Sequence, residues 1–509
     1  MSKNTIIKGT LILTVAGLLT RLIGFFYKIF LSKALGAEIL GLYQLIFPVY
    51  GICYTIYASG IQTAISKLVA EEATKSSTKG AKRVLKTGIL LSVTIAIILS
   101  ILIFHSSDLI ATKLLLHAES APSLRILAYV FPFCGITACI NGYYYGLKKA
   151  GVPALTQLVE QIIRVAFVYV VALYFGGGEI KATCELAVAG IVVGEIASNI
   201  FNLISLTVHK NEPKPSKGEQ KQYQSRFLRA LVNMSVPLTA NRLFISVLHS
   251  FEAIIIPAML QKSGLSASES LSLFGILNGM AIPFLLFPST ITNSLSVLLL
   301  PAISEASAKQ NMKLISRTVS VSIKYSLILG IFSTGFFLFF GSPLGMSVFH
   351  IEEAGTYLMI LAWLCPFLYT ATTLSSIING LGKAHLTFLN SVVGLSFRII
   401  LLALVIPKYG IYGYFISVLI SQLLITALDV FIVVKNISFS LDAVNSLLKP
   451  SIITFFATSV IHRVYLFLRT VLPIPDIALI IICAFALTII TMYLLKATKA
   501  IEMGEWKIT

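Results

Sequence analysis

Apolar stretches of about twenty residues recur from one end of this 509-residue chain to the other, and that recurrence decides the class of fold. A helix of that length just spans the hydrocarbon of a bilayer, where only helices and closed barrels satisfy every backbone N–H and C=O. The runs are continuous, so an all-α polytopic membrane protein is expected. Charged residues make up 12% of the chain, against about a quarter in soluble domains.

Fourteen spans are predicted, near residues 8–32, 40–66, 86–106, 124–146, 152–175, 185–207, 230–260, 271–302, 318–340, 355–380, 386–407, 412–434, 450–470 and 474–495. The connections after even-numbered spans collect cations: Lys75 to Lys86, Lys148 and Lys149, Lys210 to Arg229, Lys309 to Arg317, Lys383, Lys435, Lys449 and Lys496. The opposite connections hold scattered ones such as Lys113, Lys181, Lys262 and Lys408. Cytosolic loops carry the Lys and Arg excess, so the chain is read as a multi-pass protein of the cytoplasmic membrane with both termini in the cytosol. The same bias accounts for the net charge of +18 without a nucleic-acid partner. The six cysteines are scattered through apolar segments without a CxxC pair, which excludes a disulfide framework and a metal site of that kind. The N-terminus imitates a signal peptide, but Arg21 interrupts the apolar run, so an uncleaved first span is expected.

The chain repeats itself. Ile126–Phe133 reads ILAYVFPF and Ile360–Phe367 reads ILAWLCPF, a displacement of 234. Without a gap, Gly146, Leu147, Lys149 and Ala150 then land on Gly380, Leu381, Lys383 and Ala384, Arg164 lands on Arg398, Gly41 on Gly275 and Glu71 on Glu305. The predicted organisation is an N-lobe at 1–208, a cytosolic linker at 209–228, a C-lobe at 229–436, and two further helices with a cytosolic tail at 437–509. Six spans per lobe give the lobes one orientation, with a substrate site near the midplane of a central cavity between them.

Thr14, Arg21 and Lys28 are seven residues apart on the first span, close to two helical turns, and so share a face. At a displacement of 221 they match Ser235, Arg242 and His249 on the seventh. Arg21, Arg164, Arg242 and Arg398 each lie twelve or thirteen residues into a span that starts from the cytosol, roughly 18–20 Å deep. Cations in mid-membrane turn toward protein or water rather than lipid. A cluster of them suits phosphate or pyrophosphate, which arginine grips in bidentate fashion. The cavity set is therefore Arg21, Lys28, Arg242, His249, Arg164 and Arg398. The competing reading is helix-to-helix pairing, strongest for Arg164, with Glu160 one turn away, and for His249, with Glu252 three residues on.

Glu160, Glu195, Glu252 and Asp429 are the acidic groups inside spans and the candidates for binding a coupling ion, sodium or proton. Glu195, with Ser198 and Asn199 beside it, is the first choice. Gln44, Asn141, Asn278, Asn293 and Asn390 are candidates for the polar lining of a sugar path. No HExxH, GxSxG or P-loop occurs, so neither a catalytic site nor a cofactor is expected.

KGTLILTVAGLLTRLIGFFYK at 8–28, GLYQLIFPVYG at 41–51 and AISKLVAEEA at 64–73 resemble the polysaccharide-transporter branch of the multidrug/oligosaccharidyl-lipid/polysaccharide flippase superfamily. Thr20–Arg21–Leu22–Ile23–Gly24 matches the TRxxG arginine of peptidoglycan lipid II flippases in that superfamily. Their second basic residue falls six positions later, where this chain has Tyr27, with Lys28 one further on. The resemblance implies fourteen helices, alternating access and an undecaprenyl-pyrophosphate-linked saccharide as cargo, a lipid II-like precursor of cell wall or spore cortex. It also implies cell-wall synthesis enzymes as partners and, for a sporulation role, the forespore membrane. A drug exporter of the same superfamily and a non-transporting scaffold for wall synthesis stay open beside it.

Overall fold

The computed structural model describes residues 3–74, 78–175, 182–208 and 220–501, with side chains in the first helix from Ala16 onward. Helices α1 (Lys3–Tyr54), α2 (Gly60–Thr74), α3 (Thr78–Leu109), α4 (Ala121–Ala128), α5 (Val130–Gly146), α6 (Gly151–Phe175), α7 (Cys184–Val208), α8 (Gln220–Lys262) and α9 (Ala267–Gly275) come first. They are followed by α10 (Ile282–Leu286), α11 (Ser289–Ala308), α12 (Met312–Leu344), α13 (Glu352–Leu361), α14 (Cys365–Gly380), α15 (Ala384–Tyr409), α16 (Ile411–Asn436), α17 (Lys449–Val471) and α18 (Asp476–Ala497). No strand occurs among the described residues. The linker expected at 209–228 lies outside the described residues as far as 219, and from Gln220 the chain is already helical.

Among the described residues, twelve helical runs are long and apolar enough to cross a membrane, or thirteen if α4 and α5, bent by 46°, form one span. The expected fourteen is therefore not confirmed by length and composition. The difference lies in the first run, Ala16–Ala73, whose 58 residues would extend about 87 Å if straight, nearly three bilayer cores. It is not straight. A Cβ at Gly24 would lie 3.6 Å from the Gln161 side-chain amide, and Phe30 meets Tyr169 at 5.6 Å, so the run starts out alongside α6. Thirty residues after Gly24, Tyr54 lines one small cavity with Glu160 and is back at the level it left. The reversal falls at Gly36, whose φ of 76° and ψ of 172° belong to a region that is essentially glycine's alone.

The chain forms two compact units. One contains the residues up to Ala258 together with Ser266–Gly275, and the other Met259–Leu265 with everything from Ile276. In the first, α2, α3 and α5 close a core of Ile61, Ile65, Val84, Ile140 and Tyr144, reached by Phe227 and Leu231 of α8. In the second, α11, α12, α14 and α16 do the same with Ile303, Val319, Leu374, Ile377 and Val433.

The packing obeys the displacement of 234. Gly146 of α5 lies against the Ser66 carbonyl and Val69 of α2, and Gly380 of α14 against the Leu300 carbonyl and Ile303 of α11. The helix breaks also recur: α4 gives way to α5 at Tyr129, and α13 to α14 through a single 3₁₀ turn, Ala362–Leu364. Within the first unit the repeats touch, where a Cβ on Gly41 would fall 2.0 Å from the Leu271 carbonyl oxygen and one on Gly275 would fall 2.0 Å from that of Ala37. Ala37 and Leu271 are themselves 234 residues apart, so the contact is the same read from either side.

Candidate functional site

Two cations of the first helix, Arg21 and Lys28, stand without partners among the described residues. Arg21 is exposed, Lys28 is half-buried, and neither makes a hydrogen bond or ion pair with a described residue. Thr14, predicted on the same face, has a side chain outside those described. No acid follows them before Glu38, beyond the Gly36 reversal.

On α8 the matching residues behave differently. Arg242 donates from Nη1 to the Ser59 carbonyl oxygen at 2.7 Å and to Ser59 Oγ at 2.6 Å. Ser59 ends a π-helical turn, Thr55–Ser59, of the kind often found at functional positions. The rest of that α8 face is small and polar. Ser250 Oγ donates to the Pro48 carbonyl at 3.1 Å, a Cβ at Gly51 would sit 3.7 Å from Ser246 Oγ, and Gly60 abuts Thr239 and Ser235. His249 is exposed, with Nδ1 3.5 Å from the Glu252 carboxylate.

Arg164 is engaged on its own helix. Its Nη2 donates to Glu160 Oε1 one turn back, and the pair is largely buried against Gly190 and Gly194 of α7. Its charge is neutralised where it stands, which is the pairing arrangement rather than an anion-gripping one. The counterpart Arg398, in the second unit, donates from Nε to Ser421 Oγ at 2.7 Å and from Nη2 to Gln422 Oε1 at 3.2 Å. Glu160 has no counterpart there, because Gly394 occupies the equivalent position.

A cavity of about 250 Å³ lies inside the first unit. Its wall holds the carboxylates Glu160 and Glu195, the amides Gln62, Asn141 and Gln157, and the hydroxyls of Tyr50, Tyr54, Thr137 and Thr156. Glu195 Oε2 accepts from Thr137 Oγ1 at 3.0 Å and from Ser198 Oγ at 3.2 Å. Ser198 is thus where the sequence put it. Asn199 joins the same network, its Nδ2 donating to the carbonyls of Phe133 and Glu195 and to Thr137 Oγ1. Thr137 and Tyr50 escape a reading by sequence because they come from helices remote in the chain. The cavity is below the usual size of an organic-ligand pocket, ~300–1,000 Å³, and suits water and small ions. In the second unit Asp429 is buried, with Asn390 Nδ2 donating to Oδ1 at 2.8 Å and Ser375 Oγ to Oδ2 at 3.3 Å.

Residues 6–307, more than half of the chain, match the family described as polysaccharide biosynthesis protein. The chain belongs to that family. Among its relatives, stage V sporulation protein B of Bacillus subtilis (strain 168) is 25% identical over 99% of this chain and 93% of its own length. That agrees with the branch the N-terminal motifs resemble. Among solved structures, the lipid II flippase MurJ in an inward closed conformation shares the fold, with a TM-score of 0.68 and 16% identity over 96% of this chain and 98% of that one. A multidrug resistance MATE family transporter in an inward-facing conformation also shares it, with a TM-score of 0.62 and 14% identity over 81% of this chain and 93% of that one. This family member is a multi-pass helical membrane protein with the fold common to those two transporters.

Proposed function

We propose that this protein is a flippase that carries a polyprenyl-pyrophosphate-linked saccharide from the cytosolic to the outer leaflet. The observation that carries the reading is Arg21, with Lys28 two turns on: two cations within a membrane-crossing helix, unpaired among the described residues. Such a charge is expensive in lipid and is kept where it has an anion or water to meet. A diphosphate provides the anion, and Arg242 and His249 on α8 are the further ligands. The lobes at 1–208 and 229–436 would rock between inward- and outward-open forms, both termini staying in the cytosol. A relative named for sporulation favours a cell-wall or spore-cortex precursor as the cargo and the forespore membrane as a place of action. The MATE-like fold favours drug export as a second reading, but organic cations need acids where this helix presents bases.

The test is reconstitution in liposomes with fluorescent lipid II and other polyprenyl-linked sugars, with flipping followed by accessibility. Arg21→Ala should abolish flipping while the protein still purifies as a single folded species. Full activity in that variant would refute the site, and efflux of a cationic dye in place of lipid flipping would establish the second reading.

A further inference from the structure

The last two helices follow the repeats in the chain, and α17 carries a charge that no side chain answers. It packs chiefly on α12, on α18 and on the helical turn Val444–Leu448. Contacts fix its inward face. Thr454 and Thr458 lie against Gly335 of α12, Tyr465 is fully buried, and the His462 ring centroid stands within 6.0 Å of those of Phe339, Phe340 and Tyr465. Phe456, Val460, Arg463 and Phe467 follow one another at helical spacing on the opposite side. Phe456 is 64% exposed, Val460 59% and Phe467 65%, and Arg463 is exposed among them.

The 23 residues of α17 make it about 34 Å long, slightly more than the hydrocarbon of a bilayer. Arg463 lies eight residues, about 12 Å, from the Val471 end. A guanidinium stands only ~7 Å from its Cα, and Cα–Cβ bonds lean toward the start of a helix, here away from the nearer surface. The side chain is therefore too short to lift its charge into water. Protein does not neutralise it either. Helices α12, α17 and α18 and the turn at 444–448 contain one acidic residue between them, Asp476, whose Oδ2 already accepts from Arg469 Nη2 at 2.9 Å. Arg463 makes no hydrogen bond or ion pair with a described residue.

A cation at that depth is kept where an anion or water meets it. Val460, Val464, Leu466 and Phe467 are all exposed around Arg463, so the anion has to be one that resides in the bilayer, the phosphate of a lipid. One guanidinium matches the single charge of a phosphodiester. A diphosphate carries more, and suits the several bases of α1 and α8.

We propose that Arg463 is the phosphate-binding residue of a site for one anionic phospholipid on the open face of α17, with the acyl chains lying along Val460 and Phe456. On the proposed orientation, both termini in the cytosol, this lipid belongs to the outer leaflet. It ties α17 and α18 to the bilayer at a fixed depth, whatever the repeats carry.

The experiment puts a reporter beside the site. Phe467→Trp, one turn from Arg463, is introduced into the full chain with both native tryptophans replaced, Trp363→Phe and Trp506→Phe. The protein is reconstituted in phosphatidylcholine vesicles containing phosphatidylglycerol brominated on its acyl chains, or brominated phosphatidylcholine, and quenching of the indole reports which lipid lies next to it. With Arg463 present, phosphatidylglycerol should be preferred about fivefold, the attraction of one basic side chain near a membrane surface. Arg463→Met should abolish the preference and Arg463→Lys should keep most of it. The preference should survive about 0.5 M sodium chloride, because a pair beneath the surface is screened little. Equal preference with Arg463 and with Arg463→Met, or its loss in salt, would overturn the inference. So would displacement of the brominated lipid by undecaprenyl diphosphate at far lower concentration, which would make Arg463 a contact for the cargo.

Discussion

A single methyl group at Gly41 or Gly275 tests whether the contact between the repeats is as tight as the backbone places it. In Gly41→Ala the new Cβ would stand 2.0 Å from the Leu271 carbonyl oxygen and 2.8 Å from its carbon. Ordinary contact begins near 3.4 Å, so α1 and α9 would have to part by about 1.4 Å. The obstacle is main chain on a helix, which has no rotamer to yield. Overpacking of this sort costs roughly 1–3 kcal/mol, and the upper end applies where nothing flexible absorbs it. Gly275→Ala meets the Ala37 carbonyl at the same 2.0 Å and should cost a similar amount. Gly17→Ala, with nothing within 4 Å of its Cβ, and Gly24→Ala, with only the Gln161 amide at 3.6 Å, are the controls. Both should be neutral or slightly stabilising through helix propensity. Thermal unfolding of the detergent-solubilised chain, read by loss of its monodisperse chromatographic peak, should rank Gly41→Ala and Gly275→Ala together, several degrees below the controls. Equal melting of all four would mean that the helices do not approach so closely.

Four further outcomes are expected. Gly36→Ala forces a side chain into backbone space that costs roughly 1–3 kcal/mol and should lower the melting temperature, whereas Ala34→Gly two residues earlier should cost less. Arg164→Ala strands Glu160 in a largely buried setting and should destabilise by ~3–5 kcal/mol, while Arg164→Met combined with Glu160→Leu should recover most of it; no recovery would make Arg164 a ligand rather than a helix tie. Ser59→Ala removes one of the two acceptors that hold Arg242 and leaves the carbonyl, so its cost should stay near 1 kcal/mol and flipping should persist. Arg242→Ala, in contrast, should lose flipping in the liposome assay without losing expression.

How far the sequence could be read depended on distance along the chain. Apolar length located the helices, and the matches at a constant displacement of 234 residues already implied that equivalent helices pack in equivalent ways. Pairs three or four residues apart, Glu160 with Arg164 and His249 with Glu252, were visible because helical geometry makes them neighbours. The Gly36 reversal falls in the gap predicted between the spans at 8–32 and 40–66, although the dihedral angles that mark it leave no trace in hydropathy. Nor could sequence show that Arg242 lies on Ser59, 183 residues away, or that Thr137 of α5 reaches Glu195 of α7. Asn199 stands one turn from Glu195 in the chain, but its hydrogen bonds to Thr137 Oγ1 and to the Phe133 carbonyl of α5 could not be read there.

The reciprocity at Gly41 and Gly275 has a bearing on ancestry. A surface in which residue 37 receives 275 as 271 receives 41 can be made just as well by two identical chains. A half-length forebear, inserted in one orientation, could have joined its own copy through these glycines before any fusion of genes. Severed in the segment ahead of α8, the two pieces should still find each other, and a tandem of the first half with itself should assemble where most membrane proteins so rearranged would not.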